Sequence, residues 1–133
     1  MDRIDPQTEV VLRDFKERLR LRYGAHLKAV YLFGSRARGD FTPDSDADVA
    51  VFLDHVSDPL QEQLDLIDDN YPILLSTGIN IQPWVFEEES LTAPEHHRAS
   101  HLVKTVKRDG IAVWTLAILD KTKGWDWSFC FTH

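Results

Sequence analysis

Apolar residues follow two rhythms along this chain, continuous in some stretches and spaced by three or four in others. Leu27 to Phe33 and Ala47 to Leu53 are β-branched and aromatic enough to predict buried strands. Ile79 to Val85 and Ile111 to Trp114 predict two more, and Pro83 restricts the former to a sheet edge or a bulge. Helical spacing governs Pro6 to Tyr23, with Val11, Phe15, Leu19 and Tyr23 on one stripe and Gly24 as its stop. It returns in Pro59 to Ser76, where Leu60, Leu64, Ile67, Tyr71 and Leu74 are predicted to pack on the sheet. Glu62, Asp65, Asp68 and Asp69 then form the solvated face, and Thr77-Gly78 ends the helix. Pro94 to Arg108 predicts a last helix with Leu102, Val103 and Val106 inward. No repeat or linker interrupts this alternation. The expected fold class is α/β (α+β), a small mixed β-sheet with helices packed mainly on one face.

Between the first two strands lies the stretch that carries chemistry. The first strand runs into Gly34-Ser35-Arg36-Ala37-Arg38-Gly39-Asp40. Gly34 lets the backbone approach a ligand closely, and backbone N–H groups, the Ser35 hydroxyl and the guanidinium groups of Arg36 and Arg38 suit phosphate oxygens. The turn reads as exposed, so Ser35→Ala with Gly34→Ala is expected to weaken triphosphate binding and leave the fold near intact. Asp46 and Asp48 then open the second strand, and a side-chain period of two points both to one face. Converging carboxylates need compensation, and Mg²⁺ is commonly held by one or two carboxylates plus substrate phosphates.

Length and charge narrow the picture. A chain of 133 residues is enough for one core. With 43% hydrophobic and 28% charged residues, it has the make-up of a soluble globular protein. A net charge of −7 argues against broad nucleic-acid binding, which needs clustered positive charge. No apolar stretch reaches membrane-spanning length and no signal peptide opens the chain, so a cytoplasmic protein without membrane attachment is expected. Cys130 stands alone, which excludes an internal disulfide. His96, His97 and His101 lack the companions of a zinc site and read as surface. The tail from Trp125 to Phe131 alternates apolar and polar residues; an edge strand, a docking segment and a poorly ordered extension all fit it. Its aromatics favour docking on self or partner, so a homo-oligomer or hetero-oligomer is admitted.

Taken together, Gly34-Ser35, the run from Arg36 to Asp40 and Ser45-Asp46-Ala47-Asp48-Val49 resemble the signature of the DNA-polymerase-β-like nucleotidyltransferase superfamily. The wording Gly-Ser-Arg-Ala-Arg-Gly-Asp looks most like its minimal nucleotidyltransferases. The likeness is strong over residues 27–54 and extends to about residue 114, which sets a nucleotidyltransferase-like domain at 1–114 and a C-terminal extension at 115–133. Such proteins are typically the antitoxin partner of a HEPN-domain toxin and nucleotidylate a tyrosine on it. The resemblance therefore implies a HEPN partner, ATP as donor and a protein hydroxyl as acceptor. It assigns Gly34 and Ser35 to the triphosphate, Arg36 and Arg38 to phosphate or partner contacts, and Asp46 and Asp48 to two Mg²⁺ (or Mn²⁺) ions. The implied reaction follows the two-metal pattern, with the acceptor hydroxyl attacking the α-phosphate in line and pyrophosphate leaving.

One departure stands out. Active members usually carry a third acid on a neighbouring strand, and here Asn80 and Gln82 occupy that strand. An amide ligates a metal through its carbonyl but cannot serve as a base near neutral pH. A tyrosine acceptor, with an unperturbed pKa of about 10, tolerates a weak base better than a sugar hydroxyl does. Two alternatives follow: a nucleotide-binding antitoxin that neutralises its partner by occlusion, or a small-molecule nucleotidyltransferase such as an antibiotic-modifying enzyme.

Overall fold

β1 (Leu27–Phe33) and β2 (Ala47–Leu53) pair antiparallel at the centre of a four-stranded sheet. Both are buried nearly throughout, which is why each reads as an almost unbroken apolar run. β4 (Ile111–Thr115) adds antiparallel to β1, and β3 (Ile81–Glu87) adds parallel to β2, giving the order β3-β2-β1-β4. β3 begins two residues later than its pattern predicts and lies at an edge, where Pro83 is tolerated. The structure, a computed structural model, describes residues 4–91 and 100–115. His96, His97, the start of the helix predicted from Pro94 and the segment from Trp125 to Phe131 lie outside the described residues, and His101 is exposed.

α1 (Pro6–Tyr23) starts where the Asp5 carboxylate accepts from the Thr8 N–H at 3.0 Å, with Pro6 in the first turn where no N–H is needed. Val11, Leu12, Phe15 and Leu19 bury against Val30, Leu32, Val49 and Val51 on one face of the sheet. The opposite face carries Ala29, Phe33, Ala50, Phe52 and Phe86, covered by Val103 and Val106 of α5 (Ser100–Asp109). A four-residue helix, α2 (Ser35–Arg38), caps the end of β1. The crossover that parallel β2 and β3 require is made by α3 (Pro59–Asp69) and α4 (Tyr71–Thr77), on the α1 side of the sheet. Helices thus lie mainly on one face, as expected.

The crossover departs from expectation twice. The single helix expected from Pro59 to Ser76 is interrupted at Asn70, because Pro72 has no N–H to continue the ladder. Its faces are also reversed. Leu66 and Ile73 enter the core, whereas Leu60, Leu64, Ile67 and Tyr71 are exposed and Leu74 is only partly buried. Three of the four acids expected in solvent instead turn toward α1, and Asp68 alone stays exposed as expected. Asp65 meets Arg22 at 3.5 Å, Asp69 lies 3.9 Å from Arg18, and the Tyr23 hydroxyl donates to Glu62 at 2.5 Å. The helix sits beside α1 at the sheet edge, so only a narrow strip of it reaches the core. Among the described residues no helix is long and apolar enough to cross a membrane.

Candidate functional site

Phe33 pairs with Asp48 across β1 and β2, so the chain leaves β1 at Gly34 directly beside that carboxylate. Gly34 has φ +78° and ψ −158°, a region essentially reserved for glycine. A Cβ there would run into Asp48 Oδ2 and crowd the rest of the Asp48 side chain. The absent side chain therefore lets the Gly34–Gly39 turn lie against the carboxylate pair. The expectation that Gly34→Ala leaves the fold near intact is overturned by this closeness. From Gly34 the chain enters α2, where the Ala37 and Arg38 N–H groups donate to Gly34 O at 3.1 and 3.0 Å, and Gly39 (φ +93°) closes the turn. The Ser35 hydroxyl has no hydrogen-bond partner among the described residues.

The carboxylate pair straddles the start of β2. Asp46 is exposed just before the strand and Asp48 is half-buried inside it. Burial pushes the Asp48 carboxyl above the usual carboxylate range, and the Asp46 charge adds to the rise. The Trp84 indole and the Arg38 charge pull it back. Trp84 Nε1 is buried without a hydrogen bond of good geometry, although it is near enough to Asp48 to favour the ionised form.

Parallel pairing places β3 against these acids in register. Asp48 faces Gln82, the Ala47 N–H donates to Asn80 O at 2.9 Å, and Asn80 Nδ2 approaches Asp46 Oδ1 at 3.4 Å. Both amides thus stand beside the two aspartates. Glu87 ends β3 at the far side of the sheet, opposite Leu53, and Glu88 and Glu89 lie in the turn beyond it.

Arg36 requires a correction. Expected at phosphate or partner, it is only 2% exposed. Its guanidinium donates to Thr8 Oγ1 at 2.8 Å, to Ser45 O at 3.0 Å, and to Thr42 O and Pro43 O at 3.4 and 3.3 Å. It also stacks on Phe41, 4.7 Å from the ring centre, and lies 3.8 Å from Asp5. Arg36 therefore pins the loop leading to Asp46 onto the start of α1, with each of its guanidinium nitrogens engaged by protein oxygens. Arg38 differs: it is exposed, and Nε donates to Asp40 at 3.2 Å.

A cavity of about 400 Å³ opens between α2 and the end of α5, lined by Ala37, Arg38, Arg108 and Asp109. Arg108 donates to both Asp109 oxygens, at 3.1 and 3.0 Å, and holds that carboxyl below its usual range, with a smaller contribution from Arg38. Arg108 and Asp109 went unnoticed in the sequence because nothing local marks them. Trp84 is marked in the sequence only by the strand period of two, which puts it on one face with Asn80 and Gln82.

The turn opened by Gly34 thus touches a paired-aspartate strand on a mixed sheet of order β3-β2-β1-β4. Residues 12–112 match the nucleotidyltransferase domain family, and the chain belongs to it; it is a nucleotidyltransferase. Among relatives, it is 35% identical over 81 residues to a Methanocaldococcus jannaschii protein named "Putative protein adenylyltransferase MJ0604", covering 61% of this chain and 75% of that one. Among solved structures, it is similar to a toxin–antitoxin structure with AMP-PNP, at TM-score 0.56 and 17% identity over 89% of this chain and 80% of that one. A second is the toxin–antitoxin MntA-HepT, at TM-score 0.53 and 18% identity over 86% and 78% of the two chains. These structures share the nucleotidyltransferase-like sheet.

Proposed function

We propose that this nucleotidyltransferase moves AMP from ATP to a hydroxyl of a partner protein, a tyrosine of a HEPN toxin, and serves as its antitoxin. The observation that carries the reading is the closeness of Gly34 to Asp48, which supports a single site made of the Gly34–Gly39 turn and the carboxylate pair. Asp46 and Asp48 would hold Mg²⁺ (or Mn²⁺) there, with the Asn80 and Gln82 carbonyls as further oxygen donors. This all-oxygen set suits a hard cation, and Asp48, its pKa raised by burial and to a lesser degree by the Asp46 charge, is a carboxylate whose ionised form a cation would favour. Bound metal supplies charge neutralisation on the α-phosphate and the leaving group.

The Ser35 hydroxyl and the α2 turn would hold the triphosphate, with Arg38 and Arg108 facing its outer phosphates across the cavity. The acceptor oxygen bonds to the α-phosphorus, the bond to the bridging oxygen breaks, and pyrophosphate leaves. With amides at Asn80 and Gln82, the tyrosine proton passes to solvent and not to a third carboxylate. The acceptor protein is supported by the fold shared with toxin–antitoxin proteins and by the relative named an adenylyltransferase.

Incubating the chain with α-labelled ATP, Mg²⁺ and the product of the neighbouring gene is expected to label a tyrosine of that product. Transfer should vanish in Asp46→Asn with Asp48→Asn. The amides at Asn80 and Gln82 favour one second reading, an antitoxin acting by occlusion. It wins if the double variant neutralises the toxin as well as the wild type does. No transfer with any nucleotide or metal refutes the enzymatic reading.

A further inference from the structure

Trp84 is half-buried on β3, paired with Ala50 of β2, and packs on the cluster of Ala50, Phe52 and Phe86 that α5 covers. The strand period of two puts Asp48 on that same face, because Ala47, Val49 and Val51 belong to the other. Asp48 pairs with Gln82, one step along from Ala50 and Trp84, so it is the diagonal neighbour of Trp84. Such neighbours stay within reach of a long aromatic side chain. Trp84 Nε1 is buried and has no hydrogen-bond partner among the described residues. A buried N–H is rarely left without an acceptor. Ala50, Phe52 and Phe86 offer none from their side chains, and the Gln82 amide is turned to Pro83 O, to which Nε2 donates at 3.5 Å. Asp48 brings charged oxygens to the same face, and the indole is near enough to stabilise that charge. β1 and β3 flank β2, so Asp48 stands between Gly34 and Trp84. On one side the bare Gly34 backbone leaves room for Oδ2. On the other stands a donor without an acceptor.

We propose that Trp84 is a positioning residue of the transfer site: its indole N–H donates to one Asp48 oxygen in the metal-loaded protein and fixes the orientation that presents the other oxygen to the cation. The inference rests on the reading of Asp46 and Asp48 as ligands of Mg²⁺ or Mn²⁺. Indole nitrogen is a donor only, so Trp84 holds no metal itself and acts through the carboxylate. Ligating carboxylates are themselves hydrogen-bonded, and loss of such a partner weakens metal binding about 10–100-fold. The same geometry explains why the donor is open in the free protein. Its acceptor is steadied only when a cation takes the opposite oxygen, and hydrogen bonds of this kind close in the loaded complex.

The probe is α,β-methylene-ATP, which binds without turnover, titrated calorimetrically into the full chain in excess Mn²⁺ and again in EDTA. The ratio of the two affinities reads the contribution of the metal. Trp84→Phe keeps an aromatic ring and removes the N–H; it is expected to lower the ratio about 10–100-fold while affinity in EDTA stays within about twofold. In an Asp48→Ala background the same change should alter the ratio by less than about twofold, because Trp84 acts only through that carboxylate. Equal weakening in Mn²⁺ and in EDTA, or equal weakening in both backgrounds, makes Trp84 a packing residue and overturns the proposal. If Asp48→Ala loses the metal-dependent affinity and Trp84→Phe retains it, this inference falls and the metal site stands. A wild type with no metal-dependent affinity overturns both. A second measurement needs no variant to fold. In nuclear magnetic resonance of the wild type, the Trp84 indole N–H signal should move downfield and exchange more slowly with solvent when Mg²⁺ and the analogue are added, and not with the analogue in EDTA. A signal that does not respond to the metal overturns the proposal equally.

Discussion

A methyl group at Gly34 is the sharpest probe of how the site is assembled. In Gly34→Ala the new Cβ meets two obstacles, a backbone at φ +78° and ψ −158° and the Asp48 side chain. Holding a residue other than glycine in that region costs about 1–3 kcal/mol. Forcing a methyl into an occupied space costs about 1–3 kcal/mol more. The Asp48 carboxylate can swing away, but its Cβ and Cγ also lie 3.3 Å from the new atom, so relief is partial. A loss of about 2–4 kcal/mol is therefore expected, and at about 4 °C per kcal/mol a fall in Tm of about 8–16 °C. A swung carboxylate is also misplaced for metal, so Mg²⁺-ATP affinity measured by calorimetry should fall with it. Ser35→Ala should keep its Tm and lose affinity only. The deciding measurement is a double-mutant cycle. Asp48→Ala removes the obstructing carboxylate, and combining it with Gly34→Ala should recover about 1–2 kcal/mol relative to additivity. If the two changes add to within about 0.5 kcal/mol, the contact is not what reserves position 34 for glycine.

Asp48→Asn should melt higher than wild type in EDTA at pH 7, because burial and the Asp46 charge disfavour the ionised carboxylate. A carboxyl whose folded pKa is raised costs stability above that pKa, so the advantage should disappear as pH falls below the ordinary value of about 3.9. With Mg²⁺ and ATP at a hundred times their Kd, the wild type alone should gain about 2.7 kcal/mol and the order of Tm should reverse; a mutant less stable in EDTA would make Asp48 a structural residue. Arg36→Met should lose about 3–5 kcal/mol in denaturant unfolding, since it strips partners from Thr8 and the 42–45 loop, whereas Arg38→Met should stay within about 0.5 kcal/mol yet bind Mg²⁺-ATP at least about tenfold more weakly. Equal stability losses would contradict the division between the two arginines. Burial and the Glu62 hydrogen bond push the Tyr23 phenol above its usual range, so wild-type stability should decline as pH rises past about 10 while Tyr23→Phe stays flat, a contrast visible in alkaline melts.

The parts of the fold legible in the sequence are those where composition and burial coincide. β1 and β2 are apolar on both faces, and the motif between them names the site because glycine, serine and aspartate occur there in a fixed order. The α1 stripe was legible too, since Val11, Phe15 and Leu19 do enter the core. Periodicity shows that a helix has an apolar side but not what lies opposite. That is how Leu60, Leu64 and Ile67 came to be expected in the core while Leu66 does the packing. Arg36 and Arg38, two residues apart on one short turn, look alike in sequence. Only the tertiary position of Thr8 and the 42–45 loop separates a buried clamp from an exposed guanidinium. Arg108 joined the site through the packing of α5, a contact between distant parts of the chain that no local pattern records.

The parallel pairing of β2 with β3 has a consequence for how readily this protein can change. Gln82 stands opposite Asp48 and Asn80 reaches Asp46, so the two amides occupy positions from which an acid would face the pair. Glutamine and glutamate codons differ by a single base, as do those of asparagine and aspartate. A fully acidic triad is thus one point mutation away, with no rearrangement of the backbone. Gln82→Glu and Asn80→Asp form a very small library in which chemical strength at this centre is open to selection. Whatever pace of reaction the present amides set, drift alone can revisit it.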